Sequence, residues 1–241
     1  MGRLSYTSEL KLARAIGSSK EATIDHPAEV VRSWRDRGLY VIARLTCFHD
    51  ELLARQRPGM APLSRLGAGV WSERGTPNWV DPALPEVQQY LIDLALEVVG
   101  FGVEEIQLDY VRFPTEGRIE EAVFSFDPDV LSKSAVITDF VRRMRAALEP
   151  TGSRLSADIF GVTAWGSRAD IETIGQDVDD LLEHLDAVSP MLYPSHFADG
   201  FGRISSPVAH PYYFLYQGCQ RLRARAAERG VEVRPVSYTH L

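Results

Sequence analysis

The sequence predicts an α/β fold of parallel βα units closed into a (β/α)8 TIM barrel. Three observations predict it. Short β-branched or apolar runs alternate with longer stretches of helical period. The strand-like runs carry polar residues at every second position, which suits a barrel with a polar interior better than a doubly wound sheet covered on both faces. A length of 241 residues is that of one such domain.

The strands read in order are residues 39–48 (LYVIARLTCF), 104–111 (EEIQLDYV), 154–160 (RLSADIF) and 187–193 (AVSPMLY), with a fifth beginning at 231–236. Helices lie between them. Residues 86–99 place Val87, Tyr90, Leu91, Leu94 and Val98 on one face, and Val136, Ile137, Phe140, Val141 and Met144 repeat that spacing. A further helix is marked by Ile171, Ile174, Val178, Leu181, Leu182 and Leu185, and another spans 212–229 with Gly230 as its C-cap. Residues 49–85 show no period and hold Trp71, Trp79 and four glycines, so they read as an excursion after a strand, lying over the active face of a barrel.

Composition excludes several functions. The net charge of −7 and pI near 5.4 argue against a polyanion partner, since nucleic-acid binders concentrate Lys and Arg. The arginines between 221 and 229 suit the solvated face of an amphipathic helix. Cys47 and Cys219 lack CxxC spacing, and the histidines show neither HExxH nor HxH, so no disulfide framework, metal centre or organic cofactor is expected. No apolar run reaches the length of a membrane span.

The chemistry concentrates at strand ends. In EEIQLDY, Glu105, Gln107 and Asp109 share one face; Arg44 with Thr46, Ser156 with Asp158, and Ser189 with Tyr193 behave alike. Asp109 and Asp158 end successive strands. Neighbouring strands lie about 4.8 Å apart, so these carboxyls can reach the roughly 5 to 9.5 Å separation that glycosidic hydrolysis requires of its acid and its nucleophile or base. Arg44 and Arg112 are placed to hold Asp109 ionised, although the same charges could form a structural network inside a polar barrel. Glu105, deeper on that face, reads as structural. His196, in MLYPSHF just past a strand end, could touch sugar hydroxyls or be an ordinary loop histidine.

These motifs together resemble the putative glycosyl hydrolase domain family of bacterial barrels. The resemblance rests on GRLSYTSE, YVIARLTCFHDELLA, NWVDP, GVEEIQLDYVRFP, ADIFGVTAW, IGQDVDDLLEHLDAVSPMLYPSHF and HPY, of which EIQLDYVRFP is the most specific. It implies the nucleophile role for Asp109 and the acid role for Asp158. It also carries Arg44, Asp50, Trp79, Asp81, Arg112, Tyr193 and His196 to the active face as substrate contacts. The implied substrate is a polysaccharide or cell-envelope glycan.

The family pattern begins with strands that precede GRLSYTSE and ends with a strand that RPVSYTHL replaces here. Residues 1–235 are therefore expected to form an incomplete barrel, first and last strands missing, and 236–241 a non-native tail. A chain open in this way is expected to be marginally stable and without turnover itself, whatever its parent does. Two other readings stay open: a non-catalytic carbohydrate-binding barrel that uses Trp79 and Tyr193 as a stacking platform, and a structural or interaction barrel of the cell envelope. A secreted or envelope-associated parent is compatible with all three.

Overall fold

The computed structural model describes residues 2–67 and 69–237; most of the expected tail, residues 238–241, lies outside them. Two short helices come first, α1 (Lys11–Ile16) and α2 (Pro27–Arg35), followed by β1 (Ile42–Thr46), α3 (Glu51–Gln56), β2 (Leu63–Ser64) and α4 (Pro85–Val99). Then come β3 (Glu105–Asp109), β4 (Ala122–Val123), α5 (Lys133–Leu148), β5 (Arg154–Phe160), α6 (Arg168–Ile174) and α7 (Val178–Leu182). The chain ends with β6 (Ala187–Met191), α8 (Pro211–Ala227) and β7 (Glu232–Val233).

Five strands form one parallel sheet in the order β1-β3-β5-β6-β7, so the strands follow one another across the sheet, with α4, α5, α6 with α7, and α8 in the successive connections. The sheet is open: among the described residues no pairing joins β1 to β7. β2 and β4 make a separate antiparallel pair.

Strand parity divides the sheet into two chemistries. Ile106, Leu108, Leu155, Ala157, Ile159 and Val188 are sealed against Val87 and Leu91 of α4 and Ile137, Phe140, Val141 and Met144 of α5 in one continuous core. The opposite face is polar. There Glu105 is fully buried and accepts from Ser156 Oγ at 2.5 Å, Arg234 Nη1 at 2.7 Å and Tyr40 Oη at 2.9 Å. A buried carboxylate is tolerable only with such partners, which makes Glu105 the anchor of the lower layer.

Within the excursion of residues 49–85, Asp50 caps α3, a 3-10 turn covers Pro58–Met60, and β2 pairs with β4. These pieces are too short for any period to emerge. One expectation is corrected: the helix expected through 171–185 is two helices, broken where Gly175 turns left-handed (φ +82°). A Cβ there would lie 2.9 Å from the Phe113 ring and 3.1 Å from Lys133 O, so the break requires glycine. Arg225 of α8 pairs with Asp179 of α7, and Arg229, just past α8, with Glu183, just past α7.

Candidate active site

Parallel sheets present ligand sites at the carboxyl ends of their strands. Here those ends open into a cleft of ≈ 570 Å³ whose wall includes Arg44, Asp109, Arg112, Glu116, Tyr193 and His196.

Asp109 is the last residue of β3 and only 6% exposed. Its Oδ2 accepts from Arg44 Nη2, reaching over from β1, and its Oδ1 from the following backbone amide, Tyr110 N, at 2.7 Å. Tyr110 itself takes a left-handed backbone (φ +52°). A tyrosine in this region is uncommon and costs on the order of 1 kcal/mol, and such strain concentrates at functional sites. It is held in place by stacking on His49 at 4.6 Å.

Asp158 stands on β5. The pairing Leu108↔Ala157 brings the following residues, Asp109 and Asp158, to the same height on adjacent strands. Gln107 Nε2 donates to Asp158 Oδ1 at 2.6 Å. Burial, strengthened by the neighbouring Asp109 charge, pushes the Asp158 carboxyl up to about 6. It is 7% exposed and is not among the residues that line the cleft. Glu116, by contrast, lines the cleft and pairs with Arg74 at 2.8 Å.

Arg112 leaves β3 into the cleft wall with its guanidinium carbon 4.5 Å from the Phe160 ring centroid, 4.9 Å from Trp79 and 5.2 Å from Tyr110. His196 stacks on the far side of this wall, 5.9 Å from Phe160 and edge-on to Tyr193 at 4.9 Å. Burial and the Arg112 charge hold its imidazole below the usual 6.5, hence neutral at pH 7.

The structure thus brings Arg44, Asp109, Arg112, Tyr193 and His196 into one cleft, with Asp158 on the strand next to Asp109. Three residues named from the resemblance are placed elsewhere. Asp50 is buried and accepts from Leu53 N at 2.7 Å as the cap of α3. Asp81 is buried and accepts from Ala83 N at 2.9 Å and Ser125 N at 2.7 Å, tying two loops together. Trp79 is 1% exposed, with Nε1 donating to Glu73 at 3.2 Å, and serves as backing for Arg112 with no face open to a sugar. Trp71 likewise packs its loop down, its Nε1 on Arg118 O at 2.9 Å.

One residue escaped the sequence reading. Gln176, in the break between α6 and α7, is wholly buried. Its Oε1 accepts from Phe160 N at 2.9 Å, and its Nε2 donates to Asp158 O and Val111 O, each at 3.2 Å. One side chain therefore ties the end of β5 to the exit of β3 and fixes how far apart the two aspartates stand. Gln176→Met, which fills the space but leaves three buried backbone groups unpaired, is expected to cost roughly 2–4 kcal/mol, read as a lower urea midpoint. The signal available in sequence was a polar residue after a helix-breaking glycine inside an otherwise apolar period.

Among the described residues no group of three His, Cys, Asp or Glu side chains could hold a metal ion, and no helix is long and apolar enough to cross a membrane.

The parallel sheet, with acidic, basic and aromatic residues gathered at its carboxyl edge, defines an α/β domain with a candidate site at its strand ends. The chain belongs to the family described as "Putative glycosyl hydrolase domain", whose model matches residues 1–239. No curated protein matches it. Among solved structures, it is similar to a hypothetical protein from Ruminiclostridium thermocellum ATCC 27405, at 33% identity and TM-score 0.57 over 65% of this chain and 77% of that one. The PgaB (BpsB) glycoside hydrolase domain of Bordetella bronchiseptica matches with TM-score 0.61 at 13% identity, over 86% of this chain and 64% of that one. Aspergillus fumigatus Ega3, in complex with galactosamine, matches with TM-score 0.52 at 11% identity, over 88% and 65%. The last two likenesses are of fold alone, and in each the chain spans just under two thirds of its neighbour's length.

Proposed function

We propose that this domain is a glycosidase cleaving O-glycosidic bonds of a polysaccharide or cell-envelope glycan, with Asp109 as nucleophile and Asp158 as acid, on a sheet that is part of a (β/α)8 barrel. The observation that carries the reading is the pairing of two unlike carboxyls at one height on adjacent strands. Asp109 is held by a cation and a backbone amide, while Asp158 is buried and raised to about 6. A carboxyl held by a cation beside one that keeps its proton to higher pH is what the two roles demand.

Adjacent strands about 4.8 Å apart, with the two carboxyls at one height, suit the roughly 5 to 5.5 Å separation of retaining pairs. Retention at the anomeric carbon is therefore expected. Proton NMR of the first-formed product, from the full gene product acting on a responsive glycan, reads it directly, and an inverted product would remove Asp109 from the nucleophile role. A second assignment for the acid follows from Glu116 lining the cleft; comparing Asp158→Asn with Glu116→Gln separates the two. The non-catalytic stacking platform is disfavoured because Trp79 is sealed.

A further inference from the structure

Arg112 is a cation of the cleft wall that makes no salt-bridge contact among the described residues. The acidic residues lining the cleft each have an arginine of their own: Asp109 pairs with Arg44, and Glu116 with Arg74. Deeper in the polar face, Glu105 pairs with Arg234. Arg112, only 8% exposed, forms no ion pair among the described residues. Its protein partners are two neutral oxygens, Phe113 O at 2.9 Å and Thr115 Oγ1 at 3.4 Å, and both are reached from Nη1.

That leaves Nε and Nη2. Neither is sealed: the one fully occluded side-chain nitrogen or oxygen without a partner among the described residues is Thr138 Oγ1, and Arg112 lines the cleft. These two donors form the side-on edge of a guanidinium, whose parallel N–H bonds match the two oxygens of a planar carboxylate. The Phe160, Trp79 and Tyr110 rings fix the plane of the group and exclude water from it.

Energetics point the same way. Burial pulls the Arg112 guanidinium down from its usual 12.5 to about 10, so it remains a cation at neutral pH but a poorly solvated one. Ring contacts offset part of that desolvation. Glu73, Asp109 and Glu116 act on it through space, but among the described residues no carboxylate is in salt-bridge contact with it, and a desolvated charge is best matched by a counter-charge in direct contact.

We propose that the cleft takes a glycan bearing carboxylate groups, a uronic acid or similarly acidic sugar, and that Arg112 clamps the carboxylate through Nε and Nη2. The proposal rests on reading the cleft as a glycan site and adds the substrate class.

The test is binding and hydrolysis by the full gene product. The probes are oligomers of glucuronate, galacturonate and mannuronate, the same oligomers with their carboxyls reduced to alcohols, a sulfated series and neutral hexose oligomers. Preference for a uronate oligomer over its reduced form by about 10–100-fold in affinity is expected, the range for a charge-assisted pair, and it should weaken with added salt. Arg112→Gln and Arg112→Lys should both lose the preference, the second because a point charge does not replace the fork. The reduced oligomers test the wild-type protein, so the result stands even if a variant folds poorly. Equal use of the uronate and reduced forms, or a best ligand that is neutral or sulfated, overturns the proposal and leaves the glycosidase reading standing. Neither binding nor turnover of any glycan overturns both.

Discussion

Asp109→Asn is expected to lower kcat by on the order of 10³-fold or more while changing stability by no more than about 1 kcal/mol. The first figure follows from removing the attacking carboxylate, against roughly 10²–10⁴-fold for a positioned proton-transfer group alone. The second follows from the site: the asparagine Oδ1 still accepts from Tyr110 N, and the lost partner, Arg44, has a half-exposed side chain that water can solvate. The change also removes a charge that raises the Asp158 carboxyl. Asp158 should therefore titrate lower in the variant than in the wild type, which carboxyl-region NMR can follow. Steady-state rates and urea denaturation on the same preparations separate loss of chemistry from loss of fold.

The second large effect belongs to Asp158, and its sign differs between activity and stability. Its folded value of about 6 lies above the usual 3.8, so the folded state binds the proton more tightly than the unfolded state. Stability is then highest below the unfolded value and declines as pH rises from about 4 to about 6, levelling above that. The gap corresponds to at most about 3 kcal/mol, at 1.36 kcal/mol per unit. Asp158→Asn removes this term, since the amide keeps an oxygen for Gln107 Nε2. The variant should unfold at higher urea than wild type at pH 7.5, with the advantage shrinking towards pH 4. Activity moves the other way. A general acid works protonated, so wild-type kcat/KM should fall above about pH 6, and Asp158→Asn should lose on the order of 10²–10⁴-fold and flatten that limb. If Glu116→Gln produced the loss and Asp158→Asn did not, the acid would be on the rim.

Much of the sheet was legible because parity is a short-range signal. In EEIQLDY the alternation alone separates Glu105, Gln107 and Asp109 from Ile106 and Leu108, and the structure divides them in that way. The pairing of Arg44 with Asp109 was accessible for the same reason, both being polar positions on neighbouring strands. What escaped was set by contacts distant in sequence. Nothing local to Asp81 indicates that its oxygens meet a backbone amide 44 residues away. Nothing local to Trp79 indicates that its ring closes behind Arg112 instead of facing the cleft. The α6–α7 break was lost because the apolar spacing runs smoothly from Ile171 to Leu185, and only the crowding of Gly175 against Phe113 and Lys133 demands the interruption that delivers Gln176. The polarity that suggested a barrel interior is seen as the polar face of the parallel sheet, whose five strands end in open edges at β1 and β7.

The most direct test of the Asp109–Asp158 glycosidase is a glycan array exposed to the full gene product and, in parallel, to its Asp109→Asn variant, with released reducing ends and retained binding both scored. Release from at least one glycan by the wild type, abolished in a variant that still binds that glycan, is the predicted result. Binding by both proteins without release, or release that survives the substitution, would contradict it.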